Sequence, residues 1–371
     1  FIEPKLIAYP LRSVLRKIGN TNFLMAEVKQ IDLESKTVVT GSQTITYDYL
    51  VIATGSQTNF LEVSGAPQHT FPLRTLENAI TLRNHIISCF EEAAKLSEAD
   101  LTRKEQSMTF VIVGGGPTGV EMAGALQELI HNCLAKDYPQ LDLRQAKVIL
   151  LQSGASLLST YPKCLSKYTL HQLRARGVKV HFNHRVKATS STAVYLEDDT
   201  SIATSTIIWT AGVSANLPQS AGNVTTSGKN KLEVLTTLQL PKYPQVYAVG
   251  DVAYIEQNGQ PSIGVAPEAL QQGGAIAKNI RRQLKGKSPE AFNYFNKGRA
   301  AIIARSAGVA YLFGKIPLSG FLAWLLWLGI HVYYLPGLSN RFKLLGAWLK
   351  DCLLRDRSVR QIIVTFEADL K

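Results

Sequence analysis

The stretch Val111-Ile112-Val113-Gly114-Gly115-Gly116-Pro117-Thr118-Gly119 decides the fold of this chain, because an apolar strand pattern runs there into a glycine-rich turn. The glycines follow the spacing Gly-x-Gly-x-x-Gly, and apolar residues recur at helical spacing from Val120 to Leu134. A buried strand, this turn and a helix, in that order, bind the pyrophosphate of a dinucleotide. The helix N-terminus offers free N–H groups and a partial positive charge to the phosphates. The alternative is a purely structural turn.

Each residue of this turn has a predicted task in cofactor binding. Gly114 permits the tight turn, Gly116 lets the backbone approach the pyrophosphate, and Gly119 lets the helix pack closely on the strand. Pro117 and Thr118 open the helix and are assigned to the same contact.

The second strand of such a domain ends at the residue that contacts the adenosine ribose. Lys147–Leu151 is the predicted second strand, and Gln152 occupies that position. A glutamine can hydrogen-bond a ribose hydroxyl, but it carries no charge to repel a 2′-phosphate. The sequence therefore predicts that both NADH and NADPH bind. The alternative is that Gln152 is a neutral variant and NADH remains preferred.

Strands and helices alternate along most of the chain, which predicts an α/β fold with parallel sheets. Residues 23–40 alternate apolar and polar side chains, as half-buried antiparallel strands do. Leu50–Ala53 is all apolar and is typical of a parallel strand covered on both faces. The principal predicted helices are Leu76–Leu101, Val120–Leu134, Tyr168–Arg176 and Pro267–Leu284.

Length and composition fit two or three globular domains in 371 residues. The formal net charge of +12 favours an anionic partner, which leaves nucleic acid, anionic lipid and phosphorylated cofactors as candidates. The four cysteines, Cys89, Cys133, Cys164 and Cys352, form no closely spaced pair, which argues against a metal cluster and a redox-active dithiol. We expect buried or inert thiols. The chain opens with neither Met nor a signal peptide, so a fragment is expected.

The C-terminal part differs in character from the rest. Leu318–Leu335 holds two tryptophans, two tyrosines and no formal charge, and a second helix is predicted over Arg341–Leu354. The apolar stripe of this second helix comprises Phe342, Leu345, Trp348, Leu349, Cys352 and Leu353, flanked by Lys343, Lys350, Arg355 and Arg357. A basic amphipathic helix with Trp on its apolar side suits a membrane surface. The alternative is a helical pair that closes a soluble core.

Taken together, these motifs resemble the type II NAD(P)H:quinone oxidoreductases, also called alternative NADH dehydrogenases. The motifs are "YDYLVIATGS", "GGGPTGVEMAG", "IIWTAGV", "VYAVGDVA", "PEALQQG" and "GFLAWLLWLGIH". The resemblance implies two Rossmann-like dinucleotide-binding domains, one for FAD and one for NAD(P)H, plus C-terminal membrane-docking helices. The implied bounds are 1–75 and 207–290 for the FAD-binding domain, 76–206 for the NAD(P)H-binding domain and 291–371 for the membrane-associated region.

The resemblance also assigns site residues. Thr54, Gly55, Gly250 and Asp251 would contact FAD, and Ala211 and Gly212 would form the crossover back to the flavin domain. Gln271, with Gln272 as a second candidate, would line the quinone pocket. Glu121 matches the family's glutamate between nicotinamide and flavin. Its spacing alone leaves two alternatives open, a carboxylate facing the nicotinamide and a carboxylate that merely stabilises the first turn of its helix.

The implied activity is hydride transfer from NADH or NADPH to FAD, followed by two-electron reduction of a membrane quinone without proton pumping. The implied location is the membrane surface, monotopic, on the cytoplasmic face or its organelle equivalent. No nucleic-acid partner and no metal are expected, and a homodimer is left open.

Three departures from the family pattern stand out. The family's first Gly-x-Gly-x-x-Gly, which cradles the FAD pyrophosphate, would precede Phe1, so poor FAD retention is expected of the chain as given. The usual Ala-Gln before the second glutamine reads Ala266-Pro267, which removes one amide from the quinone side. The ribose acid is replaced by Gln152. The rival hypotheses are a flavoprotein resembling apoptosis-inducing factor with a nucleic-acid or other non-quinone partner, and a degenerate non-enzymatic fragment.

Overall fold

The computed structural model describes residues 4–221, 224–257, 259–262, 264–354 and 362. The chain divides into two compact units. Unit one comprises Phe1–Ser13, Phe60–Gly212 and Gly298–Lys371, and unit two comprises Val14–Asn59 and Val213–Lys297. The glycine-rich turn and the C-terminal helices belong to unit one, whereas the residues assigned to FAD around Gly250 belong to unit two. The functional labels of the predicted domains stay predictions.

The helices differ widely in length. The α-helices of the described residues are α1 (Pro4–Ile7), α2 (Leu11–Leu15), α3 (Ala66–His69), α4 (Leu76–Lys95), α5 (Leu101–Ser107), α6 (Pro117–Leu129), α7 (Ala135–Asp137), α8 (Lys163–Ala175), α9 (Ala266–Gln283), α10 (Phe321–Tyr334) and α11 (Leu338–Leu354). A π-helical turn at Ile130–Leu134 follows α6, and 3₁₀ turns occur at Glu98–Asp100, Leu143–Gln145 and Gly250–Val252.

The strands are mostly short. Those of the described residues are β1 (Val28–Asp32), β2 (Thr37–Thr40), β3 (Thr44–Thr46), β4 (Leu50–Ile52), β5 (Ser56–Thr58), β6 (Phe71–Pro72), β7 (Thr109–Val113), β8 (Lys147–Gln152), β9 (Lys179–Phe182), β10 (Val186–Thr189), β11 (Ala193–Leu196), β12 (Ser201–Ala203), β13 (Thr206–Trp209), β14 (Val213–Ala215), β15 (Gln219–Ala221), β16 (Thr226–Ser227), β17 (Lys231–Glu233), β18 (Gln239–Leu240), β19 (Tyr243–Ala248), β20 (Ala253–Tyr254), β21 (Glu256–Gln257), β22 (Gln260–Pro261), β23 (Gly298–Ala304), β24 (Ala307–Leu312) and β25 (Ile316–Gly320).

Unit one is built on a five-stranded parallel sheet in the order β6-β13-β7-β8-β9. All five residues of β7 are buried, as expected of a central strand covered on both faces. Its C-terminal end runs directly into the glycine-rich turn and α6. The α/β fold with a parallel sheet predicted from the sequence is confirmed.

The long helix predicted over 76–101 is shorter than expected. Helix α4 begins at a capping box in which Thr75 Oγ1 accepts a hydrogen bond from Asn78 N (3.1 Å), and it ends at Lys95. Leu96 is extended, and a 3₁₀ turn precedes the separate helix α5. The prediction was wrong at this end because no buried residue of α4 lies beyond Ala93, so no packing sustains the helix there.

The C-terminal part of unit one contains an antiparallel sheet that the sequence did not reveal. Its order is β23-β24-β25, and α10 follows directly from β25. The predicted apolar helix from Leu318 therefore begins only at Phe321, because Leu318, Ser319 and Gly320 pair with β24. None of the described helices combines the length and apolar character that crossing a bilayer requires.

Unit two carries the predicted strands before Gly55. β1, β2 and β3 pair antiparallel, which confirms the alternating pattern. β4 pairs parallel with β19, also as expected. The prediction that this strand is covered on both faces was wrong, because Val51 is 41% exposed. Within the described residues β4 is an edge strand of the sheet β18-β19-β4, so its outer face has less cover than a central strand.

Candidate functional site

The glycine-rich turn is held by the strand that follows it in space. Gly114 has φ +112°, a left-handed value that favours glycine, and a Cβ there would lie 2.8 Å from Ala211 Cα. The Thr210 hydroxyl lies 2.8 Å from Val113 O and 3.1 Å from Gly114 O, so it donates to the turn's own carbonyls. Thr210 and Ala211 therefore support the turn from β13, a role that sequence reasoning missed for Thr210.

Open space lies where a phosphate is expected. Gly116 precedes the first residue of α6, no side chain caps the helix, and a Cβ on Gly116 would meet no atom within 4 Å. Gly119 is closed instead, since its Cβ would lie 1.9 Å from Gly114 O. Pro117 and Thr118 form the first turn, where uncapped N–H groups attract anions. These residues fit a dinucleotide pyrophosphate.

Gln152 ends β8 beside this turn. Its Oε1 accepts a hydrogen bond from Gly115 N at 2.8 Å, which fixes which end of the amide points to the loop. Its Nε2 makes no hydrogen bond within the described part of the chain and lies 3.2 Å from where a Cβ on Gly154 would stand. The side chain thus braces the loop with its oxygen and leaves its NH₂ group as a donor.

Glu121 lies on α6 and points toward the C-terminal part of unit one. Its Oε1 accepts hydrogen bonds from Ile302 N of β23 (3.2 Å) and from Trp327 Nε1 of α10 (3.1 Å). Because α6 begins at Pro117, Glu121 lies beyond the first turn, which contains no acidic residue. The interpretation as a first-turn helix-terminus carboxylate was therefore wrong.

The surroundings of Glu121 disfavour its charge. Burial raises the pKa of this carboxyl to about 7, and the hydrogen bonds from Ile302 and Trp327 oppose that shift only in part. Tyr161 lies close enough for the charge of Glu121, after burial itself, to help raise the pKa of the phenol to about 12. The Arg299 guanidinium carbon lies 5.3 Å from the centre of the Tyr161 ring. A carboxyl with a pKa near neutrality can exchange a proton at physiological pH.

In unit two, the residues assigned to FAD form a connected group. Gly55 and Gly250 both have left-handed φ values, +70° and +76°, and a Cβ on Gly55 would meet nothing within 4 Å. Ser56 Oγ donates to Asp251 Oδ2 at 2.6 Å, and the buried Gln272 accepts from Gly250 N at 2.7 Å. The group has room for a ligand beside Gly55. Thr54 lies exposed at the end of β4.

The predicted quinone glutamine is occupied by its own chain. Gln271 Nε2 donates to Phe295 O and Gln271 Oε1 accepts from Phe295 N, both at 3.0 Å. Sequence reasoning also missed Glu268, which is 3% exposed and whose Oε2 accepts from Gly264 N at 3.0 Å. Its place in the first turn of α9 was the available signal. The assignment of Gln271 to a quinone pocket stays a prediction.

Three of the four cysteines can be described. Cys89 and Cys133 are buried, as expected, whereas Cys164 is exposed. The side chain of Cys352 lies outside the described residues, as do the predicted flanking cations Arg355 and Arg357.

Known proteins share this architecture. A family model for the pyridine nucleotide-disulphide oxidoreductases matches residues 3–273. The chain is 33% identical over 359 residues to the type II NADH:quinone oxidoreductase Ndh of Mycobacterium tuberculosis, covering 92% of this chain and 76% of that protein. It is 28% identical over 321 residues to the type II NADH:quinone oxidoreductase of Staphylococcus aureus, covering 85% and 77% of the two chains.

Among solved structures, NDH2 from Plasmodium falciparum in complex with NADH matches with a TM-score of 0.81. The match covers 92% of this chain and 85% of that chain at 17% identity, so it shows the fold alone.

Proposed function

This chain belongs to the pyridine nucleotide-disulphide oxidoreductase family and, within it, to the type II NADH:quinone oxidoreductases, and we propose that it works through FAD. In the proposed reaction NADH gives a hydride to FAD, and two electrons then reduce a membrane quinone to quinol without proton pumping. The nucleic-acid-binding rival is not adopted, because the relatives compared above are quinone oxidoreductases.

The observation that carries the proposal is the open cradle at Gly116, with the near-neutral carboxyl of Glu121 on the same helix. When bound, FAD supplies the redox chemistry, accepting the hydride and passing the electron pair on. Gly116 and the uncapped N-terminus of α6 hold the pyrophosphate of the nicotinamide cofactor. Glu121 holds or exchanges a proton at its carboxyl oxygens as the redox state changes. Ala211 and Gly212 follow β13 and line the same side of the turn.

We propose that FAD binds in unit two. Supporting this, Gly55 leaves space at the end of β4, and Asp251 is oriented by the Ser56 hydroxyl. Gln272 fixes the Gly250 amide, which keeps the turn after β19 in one conformation. These residues would hold the ribityl and phosphate region of the flavin, as the family resemblance implies.

We propose that NADPH is accepted beside NADH. The amide nitrogen of Gln152 is a donor, and its orientation is set by the Gly115 N–H on the other end of the amide. A donor can face either a ribose hydroxyl or a 2′-phosphate, whereas a carboxylate would repel the phosphate.

The proposed membrane contact is the exposed apolar face of the C-terminal helices. We call this set of residues the docking face: Phe321, Leu322 and Leu325 of α10, and Phe342, Leu345 and Leu349 of α11. Their side chains are between 46% and 72% exposed. An exposed apolar patch of this kind marks a protein or membrane interaction site. Docking at the surface gives a hydrophobic quinone a short path to the flavin. A homodimer stays a prediction.

The test uses the full-length, flavin-loaded protein. Anaerobic NADH should bleach the flavin absorbance, and a short-chain quinone should restore it with one quinol formed per NADH. In proteoliposomes with an internal pH dye, turnover should leave the internal pH unchanged. Bleaching without reoxidation by quinone would refute the quinone step, and proton uptake or release inside the vesicles would refute the non-pumping step.

A further inference from the structure

One face of α6 is fastened to β23 by side chains that bind backbone groups. Glu121 accepts from Ile302 N, and Glu128 accepts from Arg305 N. Between them, Gly124 lies so close that a Cβ would stand 1.6 Å from Ile303 O. The helix that carries the nucleotide cradle and the sheet that precedes α10 are therefore in fixed contact through Glu121.

Trp327 adds a third element to this contact. Its indole N–H donates to the same oxygen of Glu121 that Ile302 N reaches, at 3.1 Å. The His331 ring stacks on the indole with centroids 3.7 Å apart, and His331 Nδ1 lies 2.7 Å from Trp327 O. The Trp348 ring of α11 lies 6.4 Å away. Because rings on two sides restrict it, the indole holds its N–H toward the carboxyl.

We propose that Trp327 is a positioning residue for Glu121, and that its indole N–H sets the orientation and the proton affinity of this carboxyl. The proposal rests on the function proposed above for its meaning in turnover. Both donors engage Oε1, so Oε2 is the oxygen left for proton exchange. Trp327 belongs to the helix that carries part of the docking face. The carboxyl beside the nucleotide cradle is thus tied to the helix beside the proposed membrane surface.

Other charged and titratable groups around Glu121 come from each neighbouring element. The described ones are Tyr161 before α8, Arg299 and Arg305 at the two ends of β23, Glu128 on α6 and His331 on α10. Burial lowers the pKa of His331, so its ring is mostly neutral at pH 7. A hydrogen bond to the charged form of a carboxyl lowers its pKa. Removing the indole N–H should therefore raise the pKa of Glu121.

The direct test is ¹⁹F NMR of the flavin-loaded, full-length protein labelled with 5-fluorotryptophan, without nucleotide or quinone. Four tryptophan resonances are expected and are assigned by single Trp→Phe variants. The Trp327 resonance should move with pH with a midpoint near 7, and Glu121→Gln should abolish that movement. Trp324, on the same helix but stacked on Phe321, is the matched control and should not report this midpoint. A Trp327 resonance that is flat from pH 5 to 9, or that titrates unchanged in Glu121→Gln, overturns the proposal.

A kinetic test follows. Trp327→Phe keeps the ring and deletes the donor, so the pH limb of kcat that reports Glu121 should move up by about one unit. Trp324→Phe should leave that limb where it is. An unmoved limb in Trp327→Phe with intact folding contradicts the positioning role. The NMR result stays readable even if the protein reduces no quinone, so failure of the proposed function and failure of this inference are distinguishable.

Discussion

Helices α6 and α10 are both rich in apolar residues, yet the protein uses them in opposite ways. Eight of the 13 residues of α6 are buried, including Val120 and Leu126 at 0% exposure. Among the 14 residues of α10, Ala323 is the buried one, although the helix carries no formal charge. Apolar sequence records that a surface must leave water, but it does not say whether the cover is the protein's own core or something outside it.

The largest expected effect tests whether the exposed apolar face is a membrane contact. Replacing Phe321, Leu325, Phe342 and Leu349 together by Ser should remove about 2 kcal/mol of burial per side chain. The variant should therefore leave the vesicle fraction in flotation assays while NADH still bleaches its flavin. Deletion after Pro317 is a poorer test, because it removes Leu318, Ser319 and Gly320 from the sheet with β24.

The control for this experiment uses equally exposed leucines elsewhere. Leu101 and Leu284 are 58% and 70% exposed, and their replacement by Ser should not change vesicle binding. If all these variants stay bound to vesicles to the same extent as wild type, the contrast between α6 and α10 does not reflect membrane docking.

The second prediction separates packing from cofactor contact on the α6 side. Gly119→Ala puts a methyl group against Gly114 O and should cost about 3 kcal/mol of folding stability. Gly116→Ala meets no atom, so its thermal stability should match wild type. The methyl group would still block the pyrophosphate, and NADH should bind roughly 10–100-fold more weakly, about 1.4–2.8 kcal/mol. Flavin bleaching titrated with NADH measures the affinity, and normal affinity in Gly116→Ala would remove the cradle from the binding site.

The third prediction concerns Glu121, where α6 and α10 meet. Its pKa is raised from 4.5 to about 7, so the folded protein binds more protons than the unfolded chain between these values. Stability from this group is fully present below pH 4.5 and is lost as pH rises through about 7, amounting to about 3 kcal/mol. Glu121→Gln should therefore gain stability relative to wild type between pH 5 and pH 8, measured by thermal unfolding. A stability difference that stays constant over that range would show that the carboxyl ionises normally.

The smallest expected effect belongs to Gln152. Wild type should use NADPH within about tenfold of NADH, roughly 1.4 kcal/mol. Gln152→Glu keeps an acceptor for Gly115 N and adds the charge that repels a 2′-phosphate, so it should shift preference toward NADH. Steady-state kcat/KM with both nucleotides decides the matter. A thousandfold preference for NADH in wild type would overturn the interpretation of this position.

The parts of the fold that the sequence predicted are those set by local patterns. The glycine spacing, the buried run of β7 and the periodicity of α6 all arise within some thirty consecutive residues (109–134), and the structure reproduces them. The parallel pairing of β4 with β19 was also readable, because short all-apolar strands are typical of parallel sheets.

The parts that escaped depend on contacts between distant segments. Glu121 binds Ile302 and Trp327, which lie 181 and 206 residues away, and no local pattern announces such a pairing. The strands β23 and β24 alternate too weakly to show a period, since small residues such as Ala300 and Ala301 fill them. Gln271 matched a motif, but the backbone that engages it comes from Phe295, beyond the end of its helix.

The way α6 holds β23 also predicts how this region varies during evolution. Glu121, Gly124 and Glu128 act through their own side chains or through the absence of one, so substitution at these positions breaks the joint. Their partners on the strand contribute only peptide N–H and C=O groups, which any residue except proline supplies. Homologous sequences should therefore keep the helix positions and drift freely at Ile302, Ile303 and Arg305, with proline excluded from the first and the last of these.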